Sequence, residues 1–156
     1  MTKEDVLGHL RVANTAHTKW VQKAKILIDK IDINEPTLPV NARESNFGKW
    51  FDNDGKKLSG LSNNPIECMN NIEKLHIGLH EMYSNVFYIY CGESQKKGFF
   101  SKMLSFDKKP ISNIEETLAL EYYETMQAFE NDLLNEIKRL ERRLTALSDE
   151  KIEALS

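Results

Sequence analysis

Three long stretches of this chain repeat apolar residues at alternating spacings of three and four, and that period restricts the possible folds more than any other feature. Behind Thr2 and Asp5, a capping-box pair with Asp in place of the usual Glu or Gln, come Val6, Leu10, Ala13, His17, Trp20, Ala24, Leu27 and Ile31. A second stripe holds Met69, Ile72, His76, Leu79, Tyr83, Val86 and Tyr90, started by Asn64 as N-cap, Pro65 and Glu67 and ended by Cys91-Gly92. A third follows Ser112 with Glu115, or Asn113 with Glu116, and contains Leu118, Tyr122, Thr125, Phe129, Leu133, Ile137, Leu140, Leu144 and Leu147. One apolar stripe per helix must be buried against other helices. The expected fold is therefore all-α: an antiparallel four-helix bundle with one short helix, a long C-terminal helix and essentially no strand.

The short helix is expected over Glu44 to Phe51, with Phe47, Trp50 and Phe51 on the bundle, Gly48 permitting close approach and the Asp54-Gly55 step closing it as a turn. Asn34 to Pro39 contains two prolines and reads as a crossover loop. The stretch after Gly92, with Gly98, Pro110, Phe99, Phe100, Met103, Leu104 and Phe106, reads as a long connection that is functional or partly ordered by its own apolar residues.

At 156 residues, 40% of them hydrophobic, the chain is long enough for one core, and 1–156 reads as a single domain. The final segment, 133–156, has two readings. Leu133, Ile137, Leu140, Leu144 and Leu147, flanked by Glu136, Lys138, Arg139, Glu141, Arg142 and Arg143, form either a protruding coiled-coil seam or an ordinary face packed inside its own bundle. The net charge of -3 supplies no basic field for nucleic acid. No run of about 18 apolar residues crosses a bilayer, and the N-terminal residues lack the apolar core of a signal peptide. The chain is thus expected to be cytoplasmic and not to span a membrane. Two cysteines, Cys68 and Cys91, do not make a disulfide framework.

Chemistry enters through the histidines. His76 and His80 are one helical turn apart, so both imidazoles can reach one cation, with His76 on the core seam and His80 at its edge. Such a pair is more often partly buried polar structure than a ligand set. His17, however, also lies in a core stripe, and a buried imidazole nitrogen left without a partner costs about 1–3 kcal/mol, so it must bond or bind something. His9 lies off the stripe and reads as a surface residue.

Three ordered blocks carry a resemblance: Ala16-His17-Thr18-Lys19-Trp20, Ser45-Asn46-Phe47-Gly48-Lys49-Trp50, and His76-x-x-x-His80. Together they resemble the chemoreceptor zinc-binding domain of bacterial chemoreceptors and diguanylate cyclases, over about residues 10 to 92 and, beyond that, in the presence of a final long helix. In that family the middle block reads Cys-x-(Leu or Phe)-Gly-x-(Trp or Tyr), and zinc is held by the first-block histidine, that cysteine and both third-block histidines. The resemblance implies a zinc site of His17, His76 and His80, with Ser45 at the cysteine position. A serine hydroxyl stays protonated near neutral pH and lacks the soft anionic sulfur that zinc favours. Ser45, a water or Glu44 is the expected fourth donor.

The resemblance further implies a non-enzymatic sensory module of chemotaxis or cyclic-di-GMP signalling that acts on an output module, and the Leu133 to Leu147 seam points to a homodimer or to docking on a signalling partner. Family members respond to zinc occupancy and, in some, to oxidation of the zinc-bound cysteine, a switch absent here unless Cys68 or Cys91 replaces it. No output domain is visible in the sequence, which fits a regulatory fragment, a stand-alone sensor or a subunit acting through its terminal helix. One alternative is a metal-free helical interaction or dimerisation protein. Another, a carboxylate-bridged iron protein, needs inward-facing carboxylates that the stripes supply nowhere except at Glu121.

Overall fold

The Thr2 side chain accepts from the backbone N–H of Asp5 while the Asp5 carboxylate accepts from that of Thr2, so an Asp closes the capping box as the usual Glu does and starts α1 (Lys3–Ile28). The computed structural model describes residues 1–29, 41–61, 66–91 and 110–155. Ile31, the loop 34–39, the Asn64-Pro65 start, Gly92 and the apolar connection 93–109 lie outside the described residues. After α1 come a 3-10 turn (Ala42–Glu44), α2 (Asn46–Asn53), a second 3-10 turn (Gly55–Gly60), α3 (Ile66–Cys91), α4 (Asn113–Thr145) and α5 (Asp149–Glu153). Among the described residues there is no strand, and the protein is all-α.

Contacts along the helices set their directions. The Lys3 ammonium donates to the carbonyls of Thr145 and Leu147, and the Cys68 thiol donates to the carbonyl of Glu136. At the other end, Val86, Tyr90 and Ala119 pack with Leu27 and Ile28. Thus α1 and α3 run the same way and α4 runs against both. In α2, Trp50 stacks on His9 and Phe47 meets His17, so α2 descends as α1 rises. The chain direction alternates from α1 to α4, as in an up-down-up-down bundle whose second helix has shrunk to two turns.

The core follows the sequence stripes in α1 and α3. Val6, Leu10, Ala13, His17, Trp20 and Ala24 are buried, as are Met69, Ile72, His76, Leu79, Tyr83, Val86 and Tyr90. In the first half of α4 the buried face is displaced by one residue: Ala119 and Met126 are inside, while Leu118 and Thr125 are exposed. The small Ala119 is what fits between Val86 and Tyr90, so packing overrides the hydrophobicity of Leu118.

The protruding seam is corrected. Leu133, Ile137, Leu140 and Leu144 are each 0% exposed and belong to the main core. Lys3 bonds near the end of α4 and also pairs with Asp149 at 3.5 Å, while Ile152 of α5 is buried in the same core. Residues 133–155 close the bundle instead of leaving it. No helix among the described residues is long and apolar enough to cross a membrane.

Candidate metal centre

Ser45 holds the centre of the local architecture. Its hydroxyl donates to the Ala42 carbonyl at 2.7 Å and accepts from the Gly48 N–H at 2.9 Å, which makes it the N-cap of α2 and ties α2 to the preceding turn. Helix α2 therefore starts at Asn46, two residues later than the expected Glu44. Gly48 is required here, because a Cβ on it would stand 2.1 Å from the Ala42 carbonyl oxygen. This tight corner places Phe47 against His17 and His76, with ring centroids 5.3 and 5.0 Å away.

His17 comes from α1, and His76 and His80 from successive turns of α3. One ring nitrogen from each lies within 4.8 Å of the others, and all three side chains are buried. Zinc bonded at ~2.0–2.1 Å in a tetrahedron sets its nitrogens roughly 3.4 Å apart, so small ring adjustments suffice to close the group on one ion. His80 is 2% exposed, so it belongs inside the core and not at the edge of the seam. Its ring sits 3.7 Å from that of Trp20 and 4.6 Å from that of His76.

The electrostatics suit a cation. Burial first, and then the neighbouring His76 ring, pull the His17 pKa down to about 3, tempered by the Ala13 carbonyl one turn back. Burial and then His80 do the same for His76, also to about 3, with Asp52 opposing. Both rings are neutral at neutral pH, the state in which an imidazole donates its lone pair to a metal. His17 Nδ1 is buried and makes no hydrogen bond of normal geometry. The donor set fits a metal: three buried imidazoles on two rigid helices can hold one ion.

The Ser45 Oγ lies 3.4 Å from His76 Nε2, so the residue at the family's cysteine position does stand beside the histidines. Glu44 is exposed and outside the three-residue group. Cys68 lies elsewhere: its thiol is buried, donates to the Glu136 carbonyl and has its pKa pushed up to about 12, chiefly by burial. A thiol so protected is not a redox substitute for the missing cysteine. Glu121 is exposed, which removes the carboxylate that the iron-protein alternative required.

His9 is exposed, a surface residue as expected, and its ring stacks on that of Trp50 at 5.0 Å. Sequence reasoning missed the charged ring beside the histidines. The Arg43 guanidinium lies 3.5 Å from Asp52 and 3.9 Å from Glu73, and the Lys56 ammonium 2.7 and 3.0 Å from the same two carboxylates. Only the i, i+4 spacing of Asp52 and Lys56 could have signalled any of it. Comparison with protein families, with curated proteins and with solved structures finds no match.

Proposed function

We propose that this protein is a zinc-binding regulatory module of the chemoreceptor zinc-binding type, acting in bacterial signal transduction of the chemotaxis or cyclic-di-GMP kind and not as an enzyme. The observation that carries the reading is the convergence of His17, His76 and His80, buried and within 4.8 Å of one another, from the positions that the resemblance implies. A bound ion would clamp α1 to α3 inside a core that also contains the end of α4. With three neutral nitrogen donors, the ion would sit at a site with one position left for Ser45 or for another ligand.

Regulation needs two packings of the bundle that differ in zinc affinity, since an ion bound equally well by both shifts nothing. The homodimer remains part of the proposal, but its contact surface is not the Leu133 to Leu144 face, which the core already uses. The test pairs two measurements on the chain and its His76→Ala variant: zinc affinity by competition with a chromophoric chelator, and sedimentation with zinc and with chelator. The expected result is one ion per chain, lost in His76→Ala, with a zinc-dependent change in sedimentation or in its concentration dependence. Zinc binding unchanged in His76→Ala would refute the site. Sedimentation as the same monomer in both states would remove the dimer and favour the metal as a structural clamp, and the same dimer in both would remove its dependence on zinc.

A further inference from the structure

Away from the histidines, a cleft of about 380 Å³ opens between the first half of α1 and the last turns of α4, lined by Leu7, Arg11, Lys138, Glu141, Arg142 and Thr145. Its volume falls in the range of small-molecule sites, roughly 300–1,000 Å³. The walls stand on firm packing: Leu10 and Leu144, chain neighbours of lining residues, are fully buried in the main core, and Leu7 packs against that core. Lys138 and Arg142 are one turn apart on α4, so their side chains share a face, and Arg11 joins them from α1.

The cleft holds charge that the fold leaves uncompensated. Among the described residues, the Arg11 and Arg142 guanidinium groups and the Lys138 ammonium make no ion pair, whereas nearby Arg139 pairs with Glu67 and Glu136. Glu141 is the one acid among the lining residues, and its Oε1 is buried with no hydrogen-bond donor. The Thr145 hydroxyl in the same cleft is already used, donating to the Glu141 backbone carbonyl at 2.8 Å.

Three cations and one carboxylate leave two positive charges in excess, which repels a metal ion and attracts a dianion. A bare dianion, however, would face the Glu141 carboxylate and leave its buried oxygen without a donor. A ligand that answers both demands carries a doubly charged group for the arginines and a hydroxyl for Glu141. Guanidinium groups match phosphate oxygens in geometry, and a phosphate monoester carries a charge of about −1.5 to −2 at neutral pH. We infer that this cleft binds a small phosphate monoester with a free hydroxyl, of the sugar-phosphate class. Arg11, Lys138 and Arg142 hold the phosphate, Glu141 accepts from the hydroxyl, and Leu7 lies against the carbon skeleton. The cleft shares no lining residue with the histidine group, so the inference stands apart from the zinc reading. Such a ligand ties α1 to α4, where the proposed ion ties α1 to α3.

The experiment is isothermal titration of the intact chain, stripped of metal and desalted from the chelator, at constant ionic strength with ribose 5-phosphate, inorganic phosphate or ribose. Ribose 5-phosphate is expected to saturate at one per chain and to bind roughly tenfold tighter than inorganic phosphate, the scale of one further hydrogen bond to a charged group. Ribose alone is expected not to bind. Arg11→Gln and Arg142→Gln, at exposed side chains, should each weaken ribose 5-phosphate about fivefold, while Lys74→Gln, at an exposed cation of α3, should change nothing. Glu141→Ala should erase the preference for the sugar phosphate while inorganic phosphate binds at least as well. No saturable binding of ribose 5-phosphate up to roughly 10 mM overturns the inference. So does equal affinity of the parent chain for both phosphates, or a loss in Lys74→Gln as large as in Arg142→Gln. None of these outcomes touches the zinc site, which His76→Ala tests separately.

Discussion

Replacing Gly48 by Ala separates a local preference from a packing constraint, because the two have opposite signs. Inside a helix, Ala is favoured over Gly by about 0.8–1.0 kcal/mol. At this position, however, the new Cβ would lie 2.1 Å from the Ala42 carbonyl oxygen and 2.9 Å from both Ala42 C and Arg43 Cα. Comfortable contacts between such atoms are roughly 3.5–4.0 Å, and the obstacle is backbone that cannot rotate aside. Overpacking of this kind costs typically about 1–3 kcal/mol, and with backbone as the obstacle the upper part of that range applies, so a net loss of up to about 2 kcal/mol is expected after the helical gain.

The displaced group is also the acceptor of the Ser45 hydroxyl, at 2.7 Å, so a shift there moves Ser45 relative to His76. Zinc affinity should fall with stability. The assay is urea unfolding of chelator-treated protein followed by circular dichroism, with zinc competition run in parallel. Gly8→Ala is the control, since a Cβ there meets nothing within 4 Å and the substitution should stabilise by about 0.5–1 kcal/mol. If Gly48→Ala is as stable as Gly8→Ala, the tight corner is not a constraint and the reasoning fails.

Ser45→Cys should tighten zinc, because it puts a thiol at the N-terminus of α2, where the thiolate is favoured, beside His76. Chelator competition at two pH values should show a gain that grows as pH rises, and equal affinities would place position 45 outside the site. With His17 and His76 depressed from 6.5 to about 3, the metal-free protein keeps their contribution above pH 6.5 and loses it as pH falls toward about 3. The loss is up to about 1.4 kcal/mol per pH unit for each ring; unfolding free energies that stay flat from pH 7 to 4 would contradict the buried neutral histidines. Leu140→Ala, at a side chain that is 0% exposed, should cost about 2–5 kcal/mol, and a cost under 1 kcal/mol would mean that this face is not core.

The stripes of α1 and α3 were legible because each residue in them has one partner face, and a three-four period records that directly. The same period placed His17 and His76 inside, while the ordered blocks pointed to Ser45, which the fold brings to 3.4 Å from His76. His80 was read as an edge residue because a single stripe does not show that Trp20 covers its other side. In α4, Leu118 and Thr125 looked like core and Ala119 did not, since the space between Val86 and Tyr90 is set by α3 and not by α4.

The heptad from Leu133 onward has the same pattern whether its partner is another chain or its own bundle. What decides between them is α5, and a helix of five residues has no period to read. The Arg43, Asp52, Lys56 and Glu73 cluster joins two turns, α2 and α3, so apart from Asp52 with Lys56 its pairs are separated in sequence and only the fold assembles them. The cleft between α1 and α4 is of the same kind, a product of where Leu7 and Arg11 meet the last turns of α4.

The most direct test of a three-histidine zinc centre is X-ray absorption at the zinc edge, on protein purified without thiol reductant and loaded with one equivalent of zinc. The expected spectrum shows multiple scattering from three imidazoles and one further light atom, with all bonds near 2.0–2.1 Å. A sulfur scatterer at ~2.3 Å would bring Cys68 or Cys91 into the site, and a spectrum with fewer imidazoles than three would break up the group of His17, His76 and His80; either result contradicts the account.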